Sequence, residues 1–188
     1  MQISNRNIIR FLSFLSFVIF FCPFFQMCSD KSIKESRFGE KLVVSPNTPK
    51  KEMDSIKNAF ENKKIISGRK KFTFSIYKLV HTTFFKDEFR VNKFIKGLNH
   101  IDFYGSLSYL FILINSVILL FYSFSNKLKT VINLSFLNII FLLLSILFFY
   151  LKEGLLEDFN QIKIGYYLFF TNSILIVYFC RKDLKLNK

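Results

Sequence analysis

Long apolar runs separated by short polar connections make up the second half of the chain. Residues 103–126, 130–151 and 164–180 contain no Asp, Glu, Lys, Arg or His. A helix needs roughly 20 apolar residues, with a range of about 17–25, to cross a bilayer core about 30 Å thick. Each run is long enough, so the pattern predicts a three-helix transmembrane bundle within residues 101–180.

A fourth apolar run, residues 11–29, lies near the N-terminus and follows Arg6 and Arg10. Such a run is typical of either a membrane span or a signal peptide. It is longer than the usual signal core of about 7–15 residues, and no pair of small residues near its end suits a signal peptidase. We therefore expect residues 1–28 to be an uncleaved first span. Cleavage of this segment and lipid attachment at Cys28 are the alternatives.

Residues 29–100 form a polar insert between the first and second predicted spans. Apolar residues at helical spacing predict an amphipathic helix over residues 49–65, with Gly68 as its C-terminal cap. Residues 72–85 fit a helix better than a strand, because no partner strand is evident, and residues 87–98 have the spacing of a further helix. The insert is too small for a stable soluble core of its own to be expected.

The end of the first apolar run carries a resemblance. Residues 21–30 read Phe-Cys-Pro-Phe-Phe-Gln-Met-Cys-Ser-Asp. This stretch resembles small uncharacterised bacterial multi-spanning membrane proteins, in which the first span ends in a Phe-Pro-Phe-like turn shortly before a cysteine. The resemblance implies the same layout, with an extracytoplasmic segment followed by further spans, and it implies no activity.

Charge determines the expected orientation. The chain is 51% hydrophobic with a formal net charge of +14, and its Lys and Arg residues lie outside the long apolar runs. The connection 125–129 and the tail 181–188 are basic, whereas residues 152–163 carry both signs. Lys and Arg flanking spans favour the cytoplasm, so both termini are expected there. Together with the resemblance to bacterial proteins, this implies a bacterial inner (cytoplasmic) membrane. The insert has 17 Lys and Arg against 8 Asp and Glu, but long loops translocate largely regardless of charge.

Polar residues inside the predicted spans are few. Asn115, Asn138 and Asn172 each lie near the middle of one run. An amide in hydrocarbon needs a hydrogen-bond partner, so the three predict a midplane polar layer that joins the spans. Such a layer either holds the helices together or forms the substrate site of a small transporter.

A basic cluster in the insert offers a second candidate contact. Its residues are Lys63, Lys64, Arg69, Lys70 and Lys71. The cluster is expected to be a solvated turn, and the alternative is contact with anionic lipid headgroups, helped by the nearby Phe72 and Phe74.

Signatures of catalysis are missing from the sequence. The long runs hold no acid, base or histidine, and there is no Gly-rich phosphate loop. His81 and His100 have no cysteine or acid at metal-binding spacing, and the three cysteines do not form a disulfide framework. Zinc spacing and RNA-binding aromatic patterns are also missing, so nucleic acid is not an expected partner. We expect no catalytic residues, no metal site and no cofactor.

These inferences combine into one hypothesis. The chain is predicted to be an all-α integral membrane protein with four transmembrane helices and a small helical extracytoplasmic insert between spans 1 and 2. It is expected to be non-enzymatic, and its insert to contact an envelope partner or the membrane surface. The alternative function is a small transporter or channel subunit with a midplane asparagine layer.

Overall fold

The computed structural model describes residues 5–36, 49–85, 101–125, 127–152 and 155–186, and it is mostly helical. Within these residues, three helices are long and apolar enough to cross a membrane: Phe103–Phe124, Leu128–Leu151 and Ile164–Leu186. They correspond to the three apolar runs of the second half, so the prediction of three such helices is confirmed. The last helix continues to Leu186, so the predicted tail, residues 181–188, begins as part of that helix. The predicted helix at residues 87–98 lies outside the described residues.

The elements follow one another in a simple order. The chain contains α1 (Asn5–Ile19), β1 (Phe25–Gln26), α2 (Asp30–Glu35), α3 (Lys50–Phe72), β2 (Thr73–Phe74), α4 (Ile76–Val80) with a π-helical turn (His81–Phe85), α5 (Ile101–Phe124), α6 (Leu128–Leu151), a 3₁₀ turn (Phe159–Gln161) and α7 (Ile164–Leu186).

The three long helices bury small polar residues beside apolar ones and expose other large apolar side chains. The buried serines of α5, α6 and α7 are Ser106, Ser108, Ser116, Ser123, Ser135, Ser145 and Ser173. Small residues let helix backbones approach closely, which is how helices associate where hydrophobicity does not drive them together. Large side chains such as Phe121 (72% exposed) and Tyr150 (68% exposed) point outward, as expected for a surface that faces lipid.

Helix α1 ends earlier than the apolar run that predicted it. The run extends over residues 11–29, but the helix stops at Ile19 and the chain turns before Pro23. Proline restricts the residue before it away from helical geometry, and residues 25–26 are extended instead. With 15 residues, α1 is about 22 Å long, which is less than the bilayer core.

Helix α1 nevertheless packs along the long helices. Its Ile9 and Leu12 share a buried cluster with Leu119 of α5 and Ile176 of α7. Arg6, near the start of α1, forms an ion pair at 3.3 Å with Asp183, near the end of α7. The beginning of α1 and the end of α7 therefore lie at the same end of the four-helix bundle.

The opposite end of the bundle carries a cap, formed by residues 20–36, 49–85 and 155–163. Its centre is the short strand β1, which pairs antiparallel with β2 on one side and meets Ile162 on the other. The Phe24 amide donates to the Phe74 carbonyl at 2.9 Å, and the Lys163 amide donates to the Phe24 carbonyl at 2.9 Å. The segment after α1 thus joins the insert to the connection between α6 and α7.

The β1–β2 pairing corrects part of the prediction for residues 72–85. Residues 76–85 are helical as expected, but Thr73 and Phe74 form a strand. The partner strand, which the sequence did not reveal, is Phe25–Gln26. It is separated from Thr73–Phe74 in the sequence by α2 and α3.

Gly68 does not end α3, as the sequence suggested; the helix continues to Phe72. A Cβ atom at Gly68 would lie 2.5 Å from Cγ2 of Ile33, which is fully buried. The glycine therefore makes room for α2 on the side of α3. Gly165 has a similar role at the start of α7, where a Cβ atom would lie 2.7 Å from the Pro23 carbonyl oxygen.

Candidate functional site

The structure brings two of the three predicted midplane asparagines into direct contact. The Asn115 amide nitrogen, on α5, donates to the Asn138 side-chain oxygen on α6 at 2.7 Å and to the Leu134 carbonyl at 2.8 Å. Asn138 in turn donates to the Ser116 hydroxyl at 3.4 Å. Both asparagines are buried.

Asn172 is placed differently. It lies on α7 and donates to the Leu12 carbonyl of α1 at 3.0 Å and to the Ser16 hydroxyl at 2.9 Å. The predicted layer is thus divided into an α5–α6 pair and an α1–α7 contact. In both places the amide nitrogens are engaged by a neighbouring helix, so the geometry favours helix packing over an open binding layer.

The predicted basic cluster lies on α3 and not on a turn, and its Lys64 and Arg69 contact α2. The Lys64 ammonium donates to the Lys34 carbonyl at 2.9 Å and also to the Ser36 carbonyl, at the end of α2. Arg69 forms a bidentate ion pair with Asp30, with its Nε atom 2.9 Å from Oδ1. Lys63, Lys70 and Lys71 remain exposed. The cluster mainly fastens α3 to α2.

Two buried glutamines connect the parts of the cap. The Gln161 amide donates to the Gln26 carbonyl at 3.0 Å and to the Leu155 carbonyl at 2.8 Å. Its oxygen accepts from the backbone amides of Glu157 and Asp158 at 2.6 and 2.8 Å. Asp158 and Gln161 form a capping box around the 3₁₀ turn. This Asp-x-x-Gln spacing was the available sequence signal for the turn, although nothing in it indicates the contact with Gln26.

The cap also gathers hydroxyl, thiol and carboxylate groups. Glu157 accepts hydrogen bonds from Ser29 and from Ser32, the latter at 2.7 and 2.8 Å. The hydroxyls of Ser29 and Ser32 hold the pKa of Glu157 below its usual value. Burial, and then the charge of Glu157, raise the pKa of the Cys28 thiol.

Both shifts are opposite to what nucleophilic catalysis requires. A general base works best with a pKa near neutral pH, and a reactive thiol needs a lowered pKa. Glu157 is a weaker base than an ordinary glutamate, and Cys28 is a thiol that stays protonated. The geometry therefore favours a structural role for this cluster. Cys22, Cys28 and Cys180 are free thiols, and the described ranges contain no group of three acids, cysteines or histidines that could hold a metal ion.

Searches against known protein families, curated proteins and solved structures find no match to this chain. A functional assignment then depends on the contacts within the chain. Those contacts distinguish two regions outside the packed helix interior, which are the cap at one end of the bundle and a group of basic residues at the other.

The two asparagine contacts predict a specific pattern of energetic coupling. Asn115→Leu, Asn138→Leu and Asn172→Leu should each lower the free energy of unfolding in detergent by about 0.6–2 kcal/mol, because each removes an interhelical hydrogen bond. The Asn115→Leu/Asn138→Leu double variant should lose less free energy of unfolding than the two single variants lose together. Asn138→Leu/Asn172→Leu should be additive within about 0.3–0.5 kcal/mol, because the two residues share no partner. If the coupling energy between Asn138 and Asn172 equalled that between Asn115 and Asn138, the division into two separate contacts would be contradicted.

The Asp30–Arg69 pair predicts acid sensitivity of the α2–α3 contact. The hydrogen bond from Arg69 lowers the pKa of Asp30 to about 2. A carboxyl whose pKa is lowered by folding stabilises the fold above its unfolded pKa, about 3.9, and this stability is lost as the pH falls towards 2. For such an exposed pair the contribution is about 0.2–1 kcal/mol.

The measurement is pepsin cleavage within α3 of the detergent-solubilised protein between pH 5 and pH 2. At pH 4–5, Asp30→Asn should be cleaved faster than the parent protein, and the difference should vanish near pH 2. Asp54→Asn, which removes an exposed acid elsewhere on α3, is the matched control and should behave as the parent does. A difference between Asp30→Asn and the parent that is the same at every pH would contradict the assignment.

Proposed function

We propose that this protein is a four-span, non-enzymatic protein of the bacterial inner membrane that presents α3 to a protein partner in the cell envelope. Both termini are proposed to lie in the cytoplasm and the cap on the extracytoplasmic side. The observation that carries the proposal is the length of α3 that extends, exposed, beyond its attachment to α2.

The contacts of α1 support a fourth span. Arg6 pairs with Asp183 of α7, and the Arg10 guanidinium lies 5.2 Å from the centre of the Phe124 ring at the end of α5. Helix α1 therefore begins where α5 and α7 end. At its other end, Phe20 and Phe24, in the first segment of the cap, are buried and continue the apolar segment beyond Ile19. These residues offset the shortness of the helix.

The distribution of charge supports the orientation. One end of the bundle, here called the basic end, carries Arg6, Arg10, Lys127, Lys129, Arg181, Lys182 and Lys185. Lys and Arg next to spans mark the cytoplasmic side. The α6–α7 connection at the cap end has acids as well, including Glu157 and Asp158.

The attachment of α3 covers only part of its length. Moving from its C-terminal end, the ties to α2 are the Arg69–Asp30 pair, the Lys64 contacts, and the Lys34–Glu61 ion pair at 2.7 Å. Glu61 is the last of these ties. Residues 52–59, here called the distal part of α3, are all exposed. An exposed helix segment gains little stability from packing or from propensity alone, so the distal part of α3 suits a binding role.

The side chains of the distal part favour a protein partner over a lipid surface. Met53 and Ile56 are 36% and 39% exposed, and with Phe60 they lie on one side of the helix at the spacing used by helices that dock into apolar grooves. The charges of residues 52–59 are Glu52, Asp54 and Lys57, which sum to −1. A helix that binds an anionic membrane surface needs a basic polar face, and this segment lacks one.

The proposed topology predicts which of two cysteines, introduced at exposed serine positions, a membrane-impermeant thiol reagent can reach. In a chain without its natural cysteines, Ser55→Cys should react with a membrane-impermeant maleimide in intact spheroplasts. Ser125→Cys should react only after the membrane is permeabilised. Both serines are exposed, so a difference in labelling reports the side of the membrane. Labelling of Ser125→Cys alone would invert the topology.

The proposed partner predicts that cross-linking depends on the side of α3. A photoreactive benzoylphenylalanine placed at Met53 or at Ile56 should yield the same discrete protein adduct in cells. The same group at Ser55 or Asn62, exposed positions on the opposite side of the helix, should not. Adducts of equal yield at all four positions, or adducts with the mass of a lipid, would overturn the proposal of a protein partner.

A further inference from the structure

The basic end contains a groove with an unusual distribution of residue types along α7. One side of the helix carries Ile174, Val177 and Tyr178, followed one turn later by Arg181, Lys182 and Lys185. The spacing of these residues keeps them on one face of the helix. Together with Leu184 and with Lys129 from the first turn of α6, they line a groove of about 810 Å³.

The groove changes from apolar to cationic in the direction expected at a membrane boundary. Ile174 and Lys185 are separated by 11 residues, or about 16 Å of helix, which is close to half of a bilayer core. Tyr178 and Ile174 remain 58% and 45% exposed, while Val177 is buried beneath them. The apolar wall is therefore open on its outer side, next to the surface that the long helices turn towards lipid.

The cationic side chains lie at one end of the groove. The Arg181 guanidinium lies 5.5 Å from the centre of the Phe136 ring on α6, so Arg181 reaches across the groove towards the other helix. Asp183, the acid closest to these residues in sequence, is buried and forms an ion pair with Arg6 of α1. Four cationic side chains thus face one opening, with the neighbouring carboxylate turned into the bundle.

We propose that this groove is a binding site for an anionic phospholipid from the leaflet at the basic end. The phosphate would lie among Lys129, Arg181 and Lys182, and one acyl chain would lie along Ile174 and Tyr178. Basic pockets between helices at the membrane boundary suit lipids with anionic headgroups, and each Lys or Arg near the surface favours such a lipid by about fivefold. The volume lies within the range of small-molecule sites in proteins.

The chain contains no tryptophan, so the fluorescence of a single introduced tryptophan reports on one position. The full-length protein carrying Tyr178→Trp is reconstituted in phosphatidylcholine bilayers. Fluorescence quenching is then measured as dibrominated phosphatidylglycerol, or dibrominated phosphatidylcholine, replaces the host lipid. If the groove binds anionic lipid, half-maximal quenching should need a several-fold lower content of dibrominated phosphatidylglycerol than of dibrominated phosphatidylcholine. The matched reporter is Tyr150→Trp, which replaces a tyrosine of similar exposure at the cap end and should show no preference.

Two lysines at the same end separate a site from general surface attraction. Lys129 lines the groove, whereas Lys127 lies two residues away with its ammonium over the Tyr122 ring at 5.5 Å. Lys129→Gln, and independently Lys182→Gln, should reduce the preference of the Tyr178→Trp reporter by about fivefold, and Lys127→Gln should leave it unchanged.

Three outcomes would overturn the proposal. Equal quenching by the two brominated lipids would exclude selectivity for the anionic headgroup. An equal loss in Lys127→Gln and Lys129→Gln would show diffuse attraction to the basic end. Full loss of the preference on adding millimolar glycerol phosphate, a soluble headgroup, would show that the groove binds free phosphate and gains nothing from the acyl chain.

Discussion

The cap depends on the backbone hydrogen bonds of residues 23–27. Pro23 and Phe24 accept from Gly165 and Lys163, while Phe24 and Met27 donate to the carbonyls of Phe74 and Phe72. Buried backbone groups must be paired, and here one extended segment pairs with two distant parts of the chain at once. Without these bonds the insert and the α6–α7 connection would each have to find other partners. The position of α3 above the bundle is therefore a consequence of how the chain leaves α1.

The two ends of the bundle use charge in different ways. At the cap end, Asp30 pairs with Arg69, Glu61 pairs with Lys34, and Glu157 accepts from the hydroxyls of Ser29 and Ser32, so each carboxylate holds two segments together. At the basic end the one buried acid, among the residues described, is Asp183, which pairs with Arg6, while Arg181, Lys182 and Lys185 beside it are exposed. The cap therefore resembles a small folded domain, whereas the basic end is suited to anionic surroundings.

The sequence predicted the long helices well because their signal is local. An uninterrupted charge-free run specifies α5, α6 and α7 without knowledge of any contact. It does not specify which side of each helix faces a neighbour, since a helix that is apolar all round has little amphipathic signal. The depth of Asn172 could therefore be predicted from the run, but its partner on α1 could not. The strands β1 and β2 have two residues each, and no periodicity exists at that length.

Gly68 shows a second reason why prediction failed in the insert. A glycine followed by basic residues is typical of a helix end, and that rule describes isolated helices. Here Gly68 does not cap a helix. It lies inside α3, where the lack of a side chain lets Ile33 of α2 pack against the helix. The same applies to Lys64 and Arg69, whose roles depend on where α2 lies.

The hydrogen bonds of α1 have a consequence for the order in which the protein is assembled. Asn172 donates to the Leu12 carbonyl across 160 residues of sequence, so α1 obtains this partner only after α7 has been synthesised. Meanwhile α1 can satisfy its own hydroxyls, because Ser13 and Ser16 donate to carbonyls four residues earlier. Such a helix can remain stable while translation continues. A ribosome that stops before α7 would leave α1 without the Asn172 amide, so the contact between α1 and α7 closes only once α7 has been made.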